Sequence, residues 1–545
     1  MTPNSNPPLD PQAEPSELIT AASGLPEAPY PGSKEIPRWN VAELIPAPIF
    51  RWRNWPLLLG PGLVMGSSAI GGGEWLTGPL VTAKYGGGLL WLATLSILGQ
   101  VLYNIEISRY ALYCGEPIFT GKFRTLPGPR FWLVFYLILD FGSLLPYLAS
   151  NAAIPLAYMI KGKQPDPMAD EVMLKALACG LFLLAMIPLI VGGKIYSSLK
   201  VVMSFKLIVV MGFLLFLAFF YSTGDTWREI LLGFFRFGTV PVVSDSAADG
   251  GNLANVFAYW LSGDALPVID LSMIGFIGAM VAISGNGGLT NAPISNYTRD
   301  QGWGMGHHVG AIPSIVGGHS IALSHVGTVF HVDQESRGRW RRWLRHVQRE
   351  QLGVWMPACF LGLALPSMLS MQFLPRGTDL KGDKWLAAGM TADGVADAVG
   401  GTFGPMFWYF TLFCGLLVLS TSMVASSDGV LRRWVDVLWT SSPRLRKWET
   451  RDIGRFYFGL LCIFVTLGLT MLILVKGDKL LVWSTNIYNY ALGFSCWHTV
   501  YVNTALLPRE LRPGWIRRTG LILAGTFFMV IAVLTTIDSL GGFKS

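Results

Sequence analysis

Apolar stretches of membrane-crossing length constrain this chain more than any other feature of its sequence. Eleven can be read, at roughly 56–82, 87–112, 131–160, 173–192, 201–221, 270–296, 352–372, 402–425, 454–475, 480–505 and 517–540. Each is near or above the ~20 residues that cross ~30 Å of hydrocarbon at 1.5 Å per residue. A helix satisfies its own backbone groups in lipid, so the expectation is an all-α membrane protein with about eleven transmembrane helices. Composition agrees. Of the 545 residues 52% are hydrophobic and only 14% charged, against roughly 25% charged in soluble domains.

The connecting segments set the expected orientation. With a cytoplasmic N-terminus, the inside segments carry Arg51 and Arg53; Lys122, Arg124 and Arg130; Lys194 and Lys200; Arg337 to Arg349; Arg432 to Arg455; and Arg509 to Arg518. Basic residues alternate between sides in this way in multi-pass proteins of the cell membrane. The same distribution argues against nucleic-acid binding despite the net charge of +7, because no reader motif accompanies it. Residues 1–45 are rich in Pro, Ser and Glu and read as a disordered cytoplasmic tail. Residues 46–545 form the transmembrane domain. Two outside segments, roughly 222–269 and 373–401, are long enough for small elements of their own. The inside segment at 337–349 interleaves Arg with Trp340 and Trp343, a pattern suited to a helix on an anionic membrane surface, with membrane lipids as partners. The six cysteines are scattered, with no CxxC pair, and read as free thiols.

Two spans are interrupted. The first runs apolar through Leu63–Ile70 and then reads Gly71-Gly72-Gly73-Glu74-Trp75. The sixth runs apolar through Met273–Ile283 and then reads Ser284-Gly285-Asn286-Gly287-Gly288. Glycine runs are costly to a helix. Non-helical backbone at membrane depth must face protein or a water-filled cavity. A carboxylate there, such as Glu74, is a functional candidate. Glycine-interrupted helices five spans apart are the sequence pointer to a secondary transporter built from inverted repeats. Close helix packing by small residues is the bland alternative; two such breaks, one with a carboxylate, favour a substrate site.

With Gly60-Pro61-Gly62 ahead of the first break and Gly278-Ala279 leading into the second, the chain resembles the Nramp family of divalent metal transporters, within the LeuT-like superfamily. The resemblance covers nearly everything after residue ~50. It implies a 5+5 inverted repeat, the first about 56–221 and the second about 270–505, with broken helices 1 and 6 and an extra helix at about 517–540. It also implies transport of a divalent metal, coupled in the family to protons. The family's Asp-Pro-Gly-Asn falls on Gly71-Gly72-Gly73-Glu74, and its Met-Pro-His on Ala282-Ile283-Ser284. The implied substrate-binding set is Gly71, Gly73, Glu74, Ala282, Ser284 and Asn286. Without the Met thioether and the His imidazole, an all-oxygen site suits Mg²⁺ or Mn²⁺ better than iron. The family's central Asp is lost to Gly71, which leaves Glu74 to replace it or the substrate to be something other than a metal.

Further candidates lie outside the breaks. Glu106 and Arg109, three residues apart on the second span, either pair locally or serve a gate or proton relay. Asp140 in the third span is either a relay carboxylate or bonded to neighbours such as Ser143. Asn486 and Asn489 in the tenth span either bond between helices or line the cavity. Asp428 is placed to pair with Arg432. His307, His308, His319, His325, His331 and His346 cluster in the connection from span 6 to span 7, at spacings that match no defined metal site. No P-loop, nucleophile elbow or paired ligand motif is present, so an enzyme is not expected and no cofactor is called for. The leading function is secondary transport of a divalent cation. The alternative is a transporter of the same fold for an organic amine or amino acid, which Glu74 and Trp75 would suit.

Overall fold

The computed structural model describes residues 32–51, 53, 66, 75, 77–166, 168–191, 194–243, 252–309, 326–375, 387–442, 444–445 and 452–542. In chain order the helices are α1 (Thr77–Tyr85), α2 (Leu90–Cys114), the short α3 (Ile118–Arg124), α4 (Pro129–Leu139), α5 (Tyr147–Lys161), α6 (Glu171–Val191) and α7 (Lys194–Phe220). A peripheral group follows: α8 (Gly224–Gly233), two antiparallel strands at Thr239–Pro241 and Leu253–Asn255, and α9 (Val256–Ser262). The second half holds α10 (Ile274–Ile283), α11 (Pro293–Asp300), α12 (Gln334–Glu350), α13 (Met356–Phe373), α14 (Ala387–Val399), α15 (Gly404–Ser441), α16 (Asp452–Leu474), α17 (Gly477–Ala505) and α18 (Trp515–Ser539). The two long outside segments thus do carry elements of their own.

Among the described residues seven helices are long and apolar enough to cross a membrane, or eight if a pair bent by 119° after Phe220 is one span. The shortfall from eleven has readable causes. The first span lies mostly outside the described residues. The fifth belongs to the bent pair. The sixth is split into two short helices. The tenth, α17, is polar along its buried face, with Ser484, Thr485, Asn489 and Ser495.

Three expectations need correction. The third span is not one helix over 131–160. It stops at Leu139, makes a 3₁₀ turn at Phe141–Leu144 and restarts at Tyr147. Pro146 is the cause: Leu145 before it is extended, with ψ 123°, as the proline ring requires. The Arg- and Trp-rich segment turns its tryptophans into protein rather than towards a membrane surface. Asp333 and Ser336 cap it reciprocally, and α12 runs through a π turn at Gln351–Trp355 straight into α13. Pro357 cannot make a regular helical bond, and the wider turn absorbs it. Trp340 and Trp343 are buried in protein. The tail also ends earlier than residue 45. Asn40–Val41 pairs in parallel with Thr328–Val329. Ile36, Trp39 and Leu44 are buried, and the Trp343 indole donates to the Ile45 carbonyl. Residues 32–47 are therefore a strap across one end of the bundle.

Packing separates a centre from a rim. The apolar stretches of α6 and α16 are only 28% buried, and they expose Leu184, Ile187, Ile190, Ile463 and Ile473, which suits contact with lipid chains. In the centre α1 packs against α10 and α13, and α17 against α10 and α18. Gly78 lets α1 approach Leu363 closely, and Thr82 Oγ1 meets Ser370 Oγ at 2.6 Å. The first and sixth spans are neighbours.

Candidate functional site

The sixth span breaks where its sequence says it should. α10 ends at Ile283, and Ser284 leaves the helix with ψ 88°. Gly285 and Gly288 then take φ +112° and +64°, conformations that a side chain resists. A Cβ on Gly288 would also lie 2.6 Å from the Tyr488 ring. One 3₁₀ turn, Gly288–Asn291, leads into α11.

One side chain holds the break. Gln100 of α2 donates its amide to the Ser284 carbonyl at 2.8 Å. Its carbonyl accepts from the Asn286 backbone N–H at 3.0 Å and from the Asn291 side chain at 2.8 Å. A continuous helix would direct the Asn286 N–H to the Ala282 carbonyl; here Gln100 takes it. Ser96, one turn back, donates to the Val281 carbonyl at 2.6 Å, and Asn104, one turn on, donates to Gln351 at 3.0 Å. Ser96, Gln100, Asn104 and Ser108 form a buried polar stripe at i, i+4 spacing. The sequence reading missed it. Its signal was present, since four polar residues on one face of an apolar span imply polar neighbours.

Of the expected substrate-binding residues, Ala282, Ser284 and Asn286 lie together and buried in the break. The Ser284 hydroxyl is turned back to the Met280 carbonyl at 2.6 Å. Gly71, Gly73 and Glu74 lie outside the described residues. Trp75, beside them, is buried, with its indole against Gly415 of α15.

The charged candidates form two closed pairs rather than one cluster. Arg109 grips Glu106 through Nε at 2.7 Å and Nη2 at 3.1 Å, and donates Nη1 to the Leu511 carbonyl. Asn503 of α17 adds a bond to Glu106. This pair ties α2 to the end of α17, about 9 Å along α2 from Gln100. Asp140 accepts from Ser143 at 2.7 Å, from the Trp434 indole at 2.8 Å and from Arg433 at 2.6–2.9 Å. Arg433, which the sequence reading did not single out, also donates to the Leu289 carbonyl at 3.1 Å. It thereby joins the interruption of the third span to the turn after the break in the sixth.

The remaining candidates separate. Asn489 donates to the Gly278 carbonyl of α10, whereas Asn486 donates to Thr536 of α18. Both are interhelical bonds, and only Asn489 reaches the broken helix. The Arg432 side chain, His319 and His325 lie outside the described residues. His307, His308 and His331 are exposed, and His346 is buried beside Trp303 and Trp343. Among the described residues no three His, Cys, Asp or Glu side chains come together as a metal site. What the break offers a ligand is neutral: backbone carbonyls, a hydroxyl and amide oxygens.

Solved structures resemble the chain over almost its whole length. A histidine-to-alanine variant of the Eremococcus coleocola manganese transporter has a TM-score of 0.58 at 12% identity, covering 93% of this chain and 91% of that one. The same transporter in complex with an aromatic bis-isothiourea substituted compound gives 0.56 at 14% identity, with the same coverage. This chain has their fold. The all-α architecture expected from the sequence resemblance is borne out at that level. No family model and no curated protein sequence matches the chain.

Proposed function

We propose that the chain is a secondary transporter of a divalent metal cation, Mg²⁺ or Mn²⁺ before Fe²⁺, working by alternating access in the cell membrane. The observation that carries this reading is the opened sixth span. Its break is buried, held from α2 by Gln100, and set in the fold of a manganese transporter with α1 against α10. Glu74 supplies the carboxylate, and the Gly71, Gly73 and Ala282 carbonyls with Ser284 and Asn286 supply neutral oxygens. Hard cations that keep part of their water suit such a set. The Glu106–Arg109 and Asp140–Arg433 pairs act as gates that close when the helices they join come together. The N-terminus lies in the cytoplasm, protons are the coupled ion, and no chemistry is catalysed.

A second reading, an organic amine or amino acid as substrate, is favoured by one observation: no cluster of anionic or imidazole ligands forms among the described residues. Purified protein in liposomes decides between the two. Uptake of Mg²⁺ or Mn²⁺ that Glu74→Gln abolishes supports the metal. Uptake indifferent to that substitution removes Glu74 as a ligand. No divalent uptake, with uptake of an amine instead, overturns the metal reading.

A further inference from the structure

A lysine is buried at the junction of four helices with no anion among the described residues to meet it. Lys122, on α3, is fully enclosed. Its Nζ donates to Ser495 Oγ of α17 and lies 3.4 Å from the Tyr103 hydroxyl of α2. The rings of Tyr136, Phe119 and Tyr103 surround it, with centroids at 4.7, 5.2 and 5.7 Å. The buried arginines near the helix junctions are matched. Arg109, Arg124, Arg299 and Arg433 each have a carboxylate oxygen within 2.5–2.9 Å. Among the described residues Lys122 has none.

The surroundings suit either protonation state. Ring faces and hydroxyl lone pairs hold an ammonium. The same hydroxyls can donate to a neutral amine. Among the described residues the titratable groups facing the site are Tyr103 from α2, Tyr136 from α4, and Cys496 and His498 from α17. Arg433 on α15 and Arg124 on α3 itself have charges already matched by Asp140 and Glu116. His498 extends the cluster, with Nδ1 2.8 Å from the Tyr136 hydroxyl and Nε2 2.9 Å from Thr125 Oγ1. Thr125 in turn donates to the Lys122 carbonyl.

We propose that Lys122 is a proton-binding site of the transport cycle, a neutral amine while α2, α3, α4 and α17 are packed as described and an ammonium when they part and water enters. Burial pulls its proton affinity down from the ordinary 10.5 to about 7, so the exchange falls near neutral pH. The site itself is independent of what is carried; only its coupling to transport rests on the reading above.

Two experiments on the full-length protein separate these parts. The first follows the thermal midpoint in detergent from pH 6 to pH 10. A base that is neutral when folded and charged when unfolded adds stability as pH rises from about 7 towards 10.5. Wild type therefore gains over Lys122→Met across that range, with a slope approaching one proton. Parallel curves overturn the site. If Lys122→Met does not fold, His498→Gln serves instead, and the proposal requires it to move the pH at which the wild-type rise begins. An unmoved onset overturns the site. The second measures Mn²⁺ uptake into liposomes of neutral lipid from pH 5.5 to pH 8.5. Wild type changes several-fold around pH 7, and Lys122→Met, or the shifted His498→Gln, departs from that profile. An unchanged profile overturns the coupling. No Mn²⁺ or Mg²⁺ uptake by wild type defeats the metal reading, while the melting result still judges the site.

Discussion

Two interrupted helices meet in the middle of this molecule, and they are held by opposite means. The third span is broken by Pro146, and its gap is closed by charge: Asp140 takes every donor that Arg433, Ser143 and Trp434 direct at it. The sixth span is broken by glycines, and its gap is kept open by one neutral amide, Gln100. The charged break is saturated and has nothing left for a ligand. The neutral break leaves uncommitted oxygen at a buried site, with the Asn291 Oδ1 unpartnered among the described residues. A cation entering there does not have to displace an existing counter-charge. Arg433 touches both breaks through Asp140 and the Leu289 carbonyl, so the locked helix positions the open one.

The largest effect should come from unlocking the charged break. Arg433→Leu leaves Asp140 buried with no cation, at a cost of about 3–5 kcal/mol. A large fall in thermal midpoint is expected, with loss of uptake. The double variant Asp140→Asn/Arg433→Leu should be markedly less damaged than the two single losses added together. Strict additivity would show that the pair is not a unit and would break the comparison.

Next in size is the neutral break. Gln100→Leu strands the Ser284 carbonyl, the Asn286 N–H and the Asn291 amide at once. Orphaned buried groups run to about 1–3 kcal/mol each and do not simply add, so the expected loss is about 2–4 kcal/mol. Uptake should fall by about tenfold or more, since 1.4 kcal/mol of misplacement is already a factor of about ten. Gln100→Glu keeps the acceptor and loses the donor, and should fall between. Uptake unaffected by Gln100→Leu would mean that the break is not where substrate passes. Gly288→Ala is smaller again, about 1–2 kcal/mol for the left-handed backbone, plus crowding against Tyr488. Tyr488→Ala should relieve the crowding alone, read as partial recovery of the melting point.

The two breaks were not equally legible. Ser284–Gly288 was readable because glycine and polar residues stand out in an apolar run, and the lipid-facing fold class was readable for the same reason. The break at Pro146 was hidden by its surroundings, since the run from Phe131 to Ile160 is apolar enough to look like one helix. Gln100 was hidden by its neutrality; only its spacing from Ser96, Asn104 and Ser108 marked it. Arg433 stands next to Arg432, and nothing local in the sequence marks it as the partner of Asp140. The strap over residues 32–47 was lost in a proline-rich composition, although Ile36, Trp39 and Leu44 are the residues that bury it. Glu74, which the sequence marks as a carboxylate at membrane depth, lies outside the described residues.

The smallest expected effect tests a third interruption, the π turn after α12, against the other two. His346 sits just before it, ahead of the apolar stretch at roughly 352–372, with the Trp303 ring 4.6 Å away edge-on. Both ring nitrogens lack partners among the described residues. Burial holds its proton affinity down to about 4, with Arg349 adding to the effect. The folded ring is neutral while the unfolded one takes a proton near pH 6.5. The stability this represents is fully present above pH 6.5 and is lost as pH falls from there towards 4. Local relaxation and water entry on protonation should limit it to about 1–2 kcal/mol. His346→Phe keeps the aromatic contacts and removes the titration, so its melting point should fall less than wild type between pH 6.5 and 4.5. Equal falls would mean that the ring is already charged in the folded protein. A charged ring would then sit between Trp303 and Trp343, and the approach to the π turn would be held by charge like the third span rather than by neutral packing like the sixth.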